Sequence, residues 1–168
     1  KKTRENRDVF FQKKDLKRNP SVQDAISDLE YRHGTRESTD TKGFKAGITS
    51  TADSHLQSHL RISENGNYTP DSHRFVNHRE KTKKIFNNLL DDAPRNRTIV
   101  GEERATYGIK KRNVVVLDQD LPSRTITTIP DDFIHYNEPR VMTVRECARI
   151  QTFPDDWIFE GSQAQQYK

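Results

Sequence analysis

The chain has 168 residues, enough for one domain, yet only 30% are apolar and 32% are charged, so its core is modest for its length and part of it must be loop or pack on something else. A net charge of +4 and a pI near 9.2 favour an anionic partner. One cysteine excludes an internal disulfide framework and suits a reducing cytoplasm; no signal peptide or bilayer-spanning apolar run is present, and the seven glycines never fall at G-x-G spacing, which excludes the usual glycine-rich dinucleotide or adenosyl-cofactor loop.

Residues 1–20 read as a charged connection with a short buried strand at Val9-Phe10-Phe11. Ser21 to Glu30, S-V-Q-D-A-I-S-D-L-E, reads as a helix. Ser21 is its N-cap, Asp24 sits three residues on, and Val22, Ala25, Ile26 and Leu29 form one apolar face. Tyr31 to Pro70 is rich in Ser, Thr, Asp, Gly and His and reads as a long polar loop with one short helix near Ala52 to Ile62. His55 and His59, then His73 and His78, raise zinc, since histidines at i and i+4 can share a metal. No cysteine pair or suitably spaced carboxylate accompanies them, so no metal is assigned.

Glu80 to Leu90 reads as an amphipathic helix, with Ile85, Phe86, Leu89 and Leu90 on one side and lysines on the other. Ala93 to Arg112 is dense in Arg95, Arg97, Arg104, Lys110, Lys111 and Arg112, with Asn96 and Asn113 among them. Arg and Lys can read guanine in the major groove, and Asn can read adenine. N-V-V-V-L, Asn113 to Leu117, is a buried strand. The last helix opens at Thr143, whose T-x-x-E spacing to Glu146 is a capping box, with Met142 and Cys147 placed as its hydrophobic staple. Phe153-Pro154 is expected to stop it. Cys147, beside Val144 and Ala148, reads as a small buried hydrophobe, and Arg145 and Arg149 flank it.

Arg140 to Phe159, R-V-M-T-V-R-E-C-A-R-I-Q-T-F-P-D-D-W-I-F, resembles the penultimate motif of DNA cytosine-5 methyltransferases. D-Q-D-L-P-S-R-T-I before it resembles the family's L-D-x-D-x-P-S-x-T-I stretch. S-V-Q-D-A-I-S-D-L resembles its V-x-D-A-I-x-D-L helix, and H-R-F-V-N-H-R-E-K its H-x-x-x-x-H-x-E-K segment. The final G-S-Q-A-Q-Q-Y-K is similar to the run leading into the family's closing motif, so the chain is expected to be a piece of a longer enzyme.

The resemblance implies a small, irregular α+β target-recognition domain with short strands and three to four helices. It places a connection from the catalytic domain at 1–20, recognition at 21–139 and the penultimate motif region at 140–168. Double-stranded DNA and the catalytic part of the same protein are the implied partners. Arg95, Arg97, Arg104, Lys110, Lys111, Arg112, Arg124, Thr125 and Ile126 are the candidate DNA contacts, Thr125 holding the backbone of a flipped-out nucleotide. Thr143, Arg145, Glu146 and Arg149 are structural. The parent enzyme uses S-adenosylmethionine to methylate a flipped cytosine, in a restriction-modification setting. Its chemistry needs a cysteine nucleophile from a Pro-Cys-Gln loop and an acid from Glu-Asn-Val, and neither triplet occurs here. This chain alone is therefore expected to bind no cofactor and catalyse nothing. The alternatives are a non-catalytic DNA-binding module on the same scaffold, one subunit of a split methyltransferase, and a zinc-organised interaction domain.

Overall fold

Asn113 to Leu117 becomes the axis of the molecule because both of its faces are covered. In the structure, a computed structural model that describes residues 19–63, 65–128 and 132–168, Val114 through Leu117 are each at most 4% exposed. Side chains alternate across a strand, so Val115 and Leu117 enter one apolar cluster with Val22, Ile26, Leu29, Phe133 and Met142. Val114 and Val116 enter a second with Leu89, Ile99, Ile134 and Val141. Each such side chain, fully buried, contributes about 1.5–3 kcal/mol, and together they join the two halves of the chain.

The elements in order are α1 (Val22–Ile26), two 3-10 turns (Ser27–Leu29 and Tyr31–His33), β1 (Thr35–Glu37), β2 (Lys45–Gly47), α2 (His55–Leu60), α3 (Glu80–Asp92), α4 (Glu102–Thr106), β3 (Val115–Val116), β4 (Phe133–Ile134), α5 (Val144–Ile150) and α6 (Gln163–Gln166). β1 and β2 pair antiparallel, while β3 and β4 pair parallel, Val115 against Phe133 and Val116 against Ile134. Single bridges extend the second pair on both sides, through Arg95, Thr98 and Val141. This is the small α+β arrangement of short strands and helices that the sequence implies. α4 and α6, of five and four residues, are too short to leave a periodic signal.

Local chemistry explains most element ends. Ser21 caps α1 in a full capping box with Asp24, and the helix tightens into a 3-10 turn after Ile26. Thr143 and Glu146 form the box that opens α5, and Met142 and Cys147 meet in one apolar cluster. α5 does not run to Phe153-Pro154. It ends at Ile150, and Thr152 takes a left-handed φ of 67°. Phe153 N–H then donates to Ala148 O at 3.0 Å and Thr152 N–H to Arg149 O at 2.9 Å, the paired bonds of a Schellman stop.

Within 31–70, read as loop but for one helix, the structure adds the β1–β2 hairpin. Its strands expose Arg36, Glu37 and Lys45, so no apolar alternation announced it. Gly47 is required where β2 passes the core, since a Cβ there would lie 2.3 Å from His73 Nε2 and 2.9 Å from Phe75. The strand expected at Val9-Phe10-Phe11 lies outside the described residues. No helix among the described residues is long and apolar enough to cross a membrane.

Candidate nucleic-acid interface

The cationic side chains divide into an inward set and an outward set. Arg149, fully buried, makes a bidentate contact to Asp155, both bonds 2.6 Å. Its remaining nitrogen, Nη1, reaches Ala25 O at 3.3 Å and Asp28 Oδ1 at 3.4 Å. Arg61 reaches Asp28 at 2.8 Å, and the Tyr68 hydroxyl donates to Asp155 at 2.6 Å. Arg145, also fully buried, donates to the carbonyls of Asp71, Pro154 and Trp157 at 2.8, 2.8 and 2.6 Å. These bonds tie α5 to α1, to the 71–72 turn and to the segment after α5. Buried charges survive only when paired and hydrogen-bonded in this way. Burial works against the Arg149 charge, but Asp155 and Asp28 leave it held more firmly than an ordinary arginine. Burial also raises the Asp28 carboxyl despite the two guanidinium groups beside it.

A second chain of bonds runs through the capping box. Thr143 Oγ1 accepts from Glu146 N–H at 3.2 Å and lies 2.9 Å from His73 Nδ1. His73 Nε2 lies 2.9 Å from Leu29 O. A carbonyl only accepts, so Nε2 carries the proton and Nδ1 accepts from the threonine hydroxyl. Arg140 clasps Glu146 at 2.8 and 2.6 Å and stacks over Phe75 at 4.7 Å. Burial alone would raise Glu146, yet Arg140 holds it down at about 2. Burial instead drives His73 down to about 4 and His135 to about 3, so both are neutral near pH 7. Burial pushes the Cys147 thiol well up, which suits a packing residue, not a nucleophile. His78 Nε2 accepts from Val141 N–H at 3.3 Å. No group of metal-ligating side chains assembles among the described residues.

The outward set contains most of the candidate DNA contacts. Lys110, Arg112, Arg124 and Thr125 are exposed, while Ile126 is half-buried against the α1 cluster. Arg97 is exposed and paired with Glu103 at 2.7 Å. Arg104 donates to Lys111 O at 3.1 Å, and Lys111 Nζ lies 4.0 Å from Asp132. Arg95 is turned inward, donating to Tyr136 O at 2.8 Å and Leu90 O at 2.6 Å, where its guanidinium closes the C-terminal end of α3. The basic segment meets the Pro122–Ile126 loop at Asn96, whose Nδ2 donates to Pro122 O at 3.2 Å and whose carbonyl accepts from Arg124 at 3.4 Å. A groove of about 450 Å³ lies between that loop and α1, with Pro20, Val22, Leu56, Thr125 and Gln151 in its walls.

Of the residues predicted to be structural, the structure joins Thr143 and Glu146 in one network and buries Arg145 and Arg149 in the other. Asp28, Asp71, Asp155, Arg61 and Arg140 belong to these networks without having stood out in the sequence.

A family model for the C-5 cytosine-specific DNA methylase matches residues 6–168. Type II methyltransferase M.Eco47II of Escherichia coli is 50% identical over 56 residues, 31% of this chain and 13% of that protein. Type II methyltransferase M.AquIB of Picosynechococcus is 44% identical over 69 residues, 40% of this chain and 48% of that protein. Type II methyltransferase M.BbvI of Brevibacillus brevis is 33% identical over 96 residues, 54% of this chain and 26% of that protein. The chain thus matches less than half of the length of each of these relatives. Since the family model spans nearly every residue, the chain belongs to the C-5 cytosine-specific DNA methylase family.

Proposed function

We propose that this chain is the target-recognition part of a DNA cytosine-5 methyltransferase, and that the parent enzyme transfers methyl from S-adenosylmethionine to a flipped cytosine within a restriction-modification system. The observation that carries the reading is the division of the cations. Arg140, Arg145 and Arg149 are buried in ion pairs and carbonyl contacts, whereas Lys110, Arg112 and Arg124 stand at the surface, as does Thr125. The inward set holds the scaffold. The outward set meets DNA, with phosphates fixing register and base edges giving sequence. Arg95, turned inward, supports the segment from beneath, and Arg97, Arg104 and Lys111 reach DNA by exchanging internal partners for phosphate.

The methyl donor belongs to the catalytic part. The parallel pair here is two residues long and no glycine-rich turn follows it, so the described residues do not fit an adenosyl cofactor. The chain alone then neither binds the donor nor transfers methyl. Its partners are duplex DNA and that catalytic part, and its place is the cytoplasm.

Selection from a random-sequence duplex pool by the 168-residue chain, at two salt concentrations, tests this. Enrichment of a short CG-containing motif, lost in Arg112→Ala, is expected. Binding without enrichment, falling steeply with salt, would leave only phosphate contacts and overturn the recognition role. Methylated product from the isolated chain would overturn its assignment as non-catalytic.

A further inference from the structure

Asn96 stands where three parts of the structure meet. Its backbone N–H donates to Val116 O on β3 at 2.7 Å, which fixes it to the buried axis. Its side-chain Nδ2 holds Pro122 O, and its carbonyl receives Arg124, at 3.2 and 3.4 Å. The backbone there is left-handed, φ 55°, a conformation that asparagine tolerates better than most side chains. Its Oδ1 is buried without a hydrogen-bond partner. Packing alone does not ask for such a residue: glycine would serve the turn, and a buried acceptor without a donor opposes folding. What asparagine adds is the side-chain N–H that reaches across to the neighbouring loop.

We propose that Asn96 is a specificity-positioning residue that locks the Pro122–Ile126 loop to the basic segment 95–112. The inference rests on the recognition role proposed above and names the joint that makes it sequence-specific. On one side of the joint lie the cations that read bases, and on the other Arg124 and Thr125 hold the strand. With Nδ2 on Pro122 O, the two sides share one register, so a base matched by Arg112 is presented when Thr125 is seated on the backbone. Without it, each side still meets phosphate, and the coupling between reading and clamping is lost. Asn96 itself need touch no DNA. The backbone N–H of Asn96 is already committed to Val116 O, so the donor that reaches Pro122 O is the side chain.

Asn96→Gly tests this directly. Glycine keeps the left-handed backbone and the N–H to Val116 and removes only the hook. Affinities of the full chain for its selected duplex and for random duplex are measured beside the thermal midpoint. The ratio of specific to random affinity is expected to fall about tenfold, the loss of one hydrogen bond. Random-duplex affinity is expected to hold, and the midpoint to fall by no more than about 2–4 °C, the cost of one loop hydrogen bond. Asn96→Asp, which keeps size and backbone but loses the donor, is expected to lose the same discrimination. An unchanged ratio in Asn96→Gly, or an equal fall for both duplexes, overturns the positioning role and leaves the recognition reading standing. A wild-type chain that shows no preference removes both.

Discussion

Acidification from pH 7 to pH 5 is expected to weaken the fold by about 4 kcal/mol through two buried histidines. His73 and His135 are fully buried, and burial lowers them from the ordinary histidine value of 6.5 to about 4 and about 3. An unfolded histidine takes up its proton below about pH 6.5, while these two stay neutral in the fold until far lower. Their contribution to stability is therefore complete above the unfolded value and is lost as pH falls below it, continuing down to the folded values. At pH 5 the unfolded chain lies about 1.5 units below the histidine reference, which makes about 2 kcal/mol per residue at 1.36 kcal/mol per unit. Neither imidazole is exposed, so solvent screening does not reduce the figure. Asp28 and Glu138, raised by burial, act in the opposite sense and offset part of this loss, and Glu146, held at about 2, adds loss only at more acid pH. The difference between the wild-type chain and His135→Phe over the same window isolates the histidine share. Urea unfolding at pH 7, 6 and 5 measures the effect, and His135→Phe is expected to halve the slope. A free energy constant within about 1 kcal/mol across that range would refute the reasoning.

Other substitutions separate scaffold from interface. Arg149→Ala leaves Asp155 buried without its bidentate guanidinium and Asp28 with Arg61 alone, and is expected to destabilise the chain by about 3–5 kcal/mol in urea unfolding. Arg97→Ala removes an exposed pair with Glu103 and is expected to change stability by under about 1 kcal/mol, while lowering duplex affinity and reducing the slope of log affinity against log salt by about one. Gly47→Ala drives a methyl into His73 and Phe75 and is expected to cost about 1–3 kcal/mol. Thr152→Gly relieves a β-branched residue of its left-handed φ and is expected to raise stability by about 1 kcal/mol.

The parts of the fold legible in the sequence are those whose causes are local. The Thr143–Glu146 and Ser21–Asp24 capping boxes each span four residues and formed as read. The periodicity of Ile85, Phe86, Leu89 and Leu90 placed α3, and the valine run placed the buried axis. What stayed hidden depends on partners far along the chain. Arg149 reaches Asp28 across 121 residues and Arg145 reaches Asp71 across 74, so no spacing rule could pair them. The inward turn of Arg95 has the same origin: Tyr136 O, 41 residues away, is supplied by tertiary structure alone. The β1–β2 hairpin escaped because its three-residue strands carry no apolar alternation, and α5 stopped early because Thr152 accepted a conformation usually left to glycine.

Amide hydrogen exchange with and without a duplex carrying the selected motif tests the central claim most directly, because it reports where DNA sits and what holds the scaffold. Protection on DNA addition is expected over 97–112 and 122–126, with 143–150 slow to exchange in both states. Protection confined to other surfaces, such as the 35–47 hairpin, or 143–150 exchanging as fast as the loops, would contradict the division into an outward recognition set and an inward structural one.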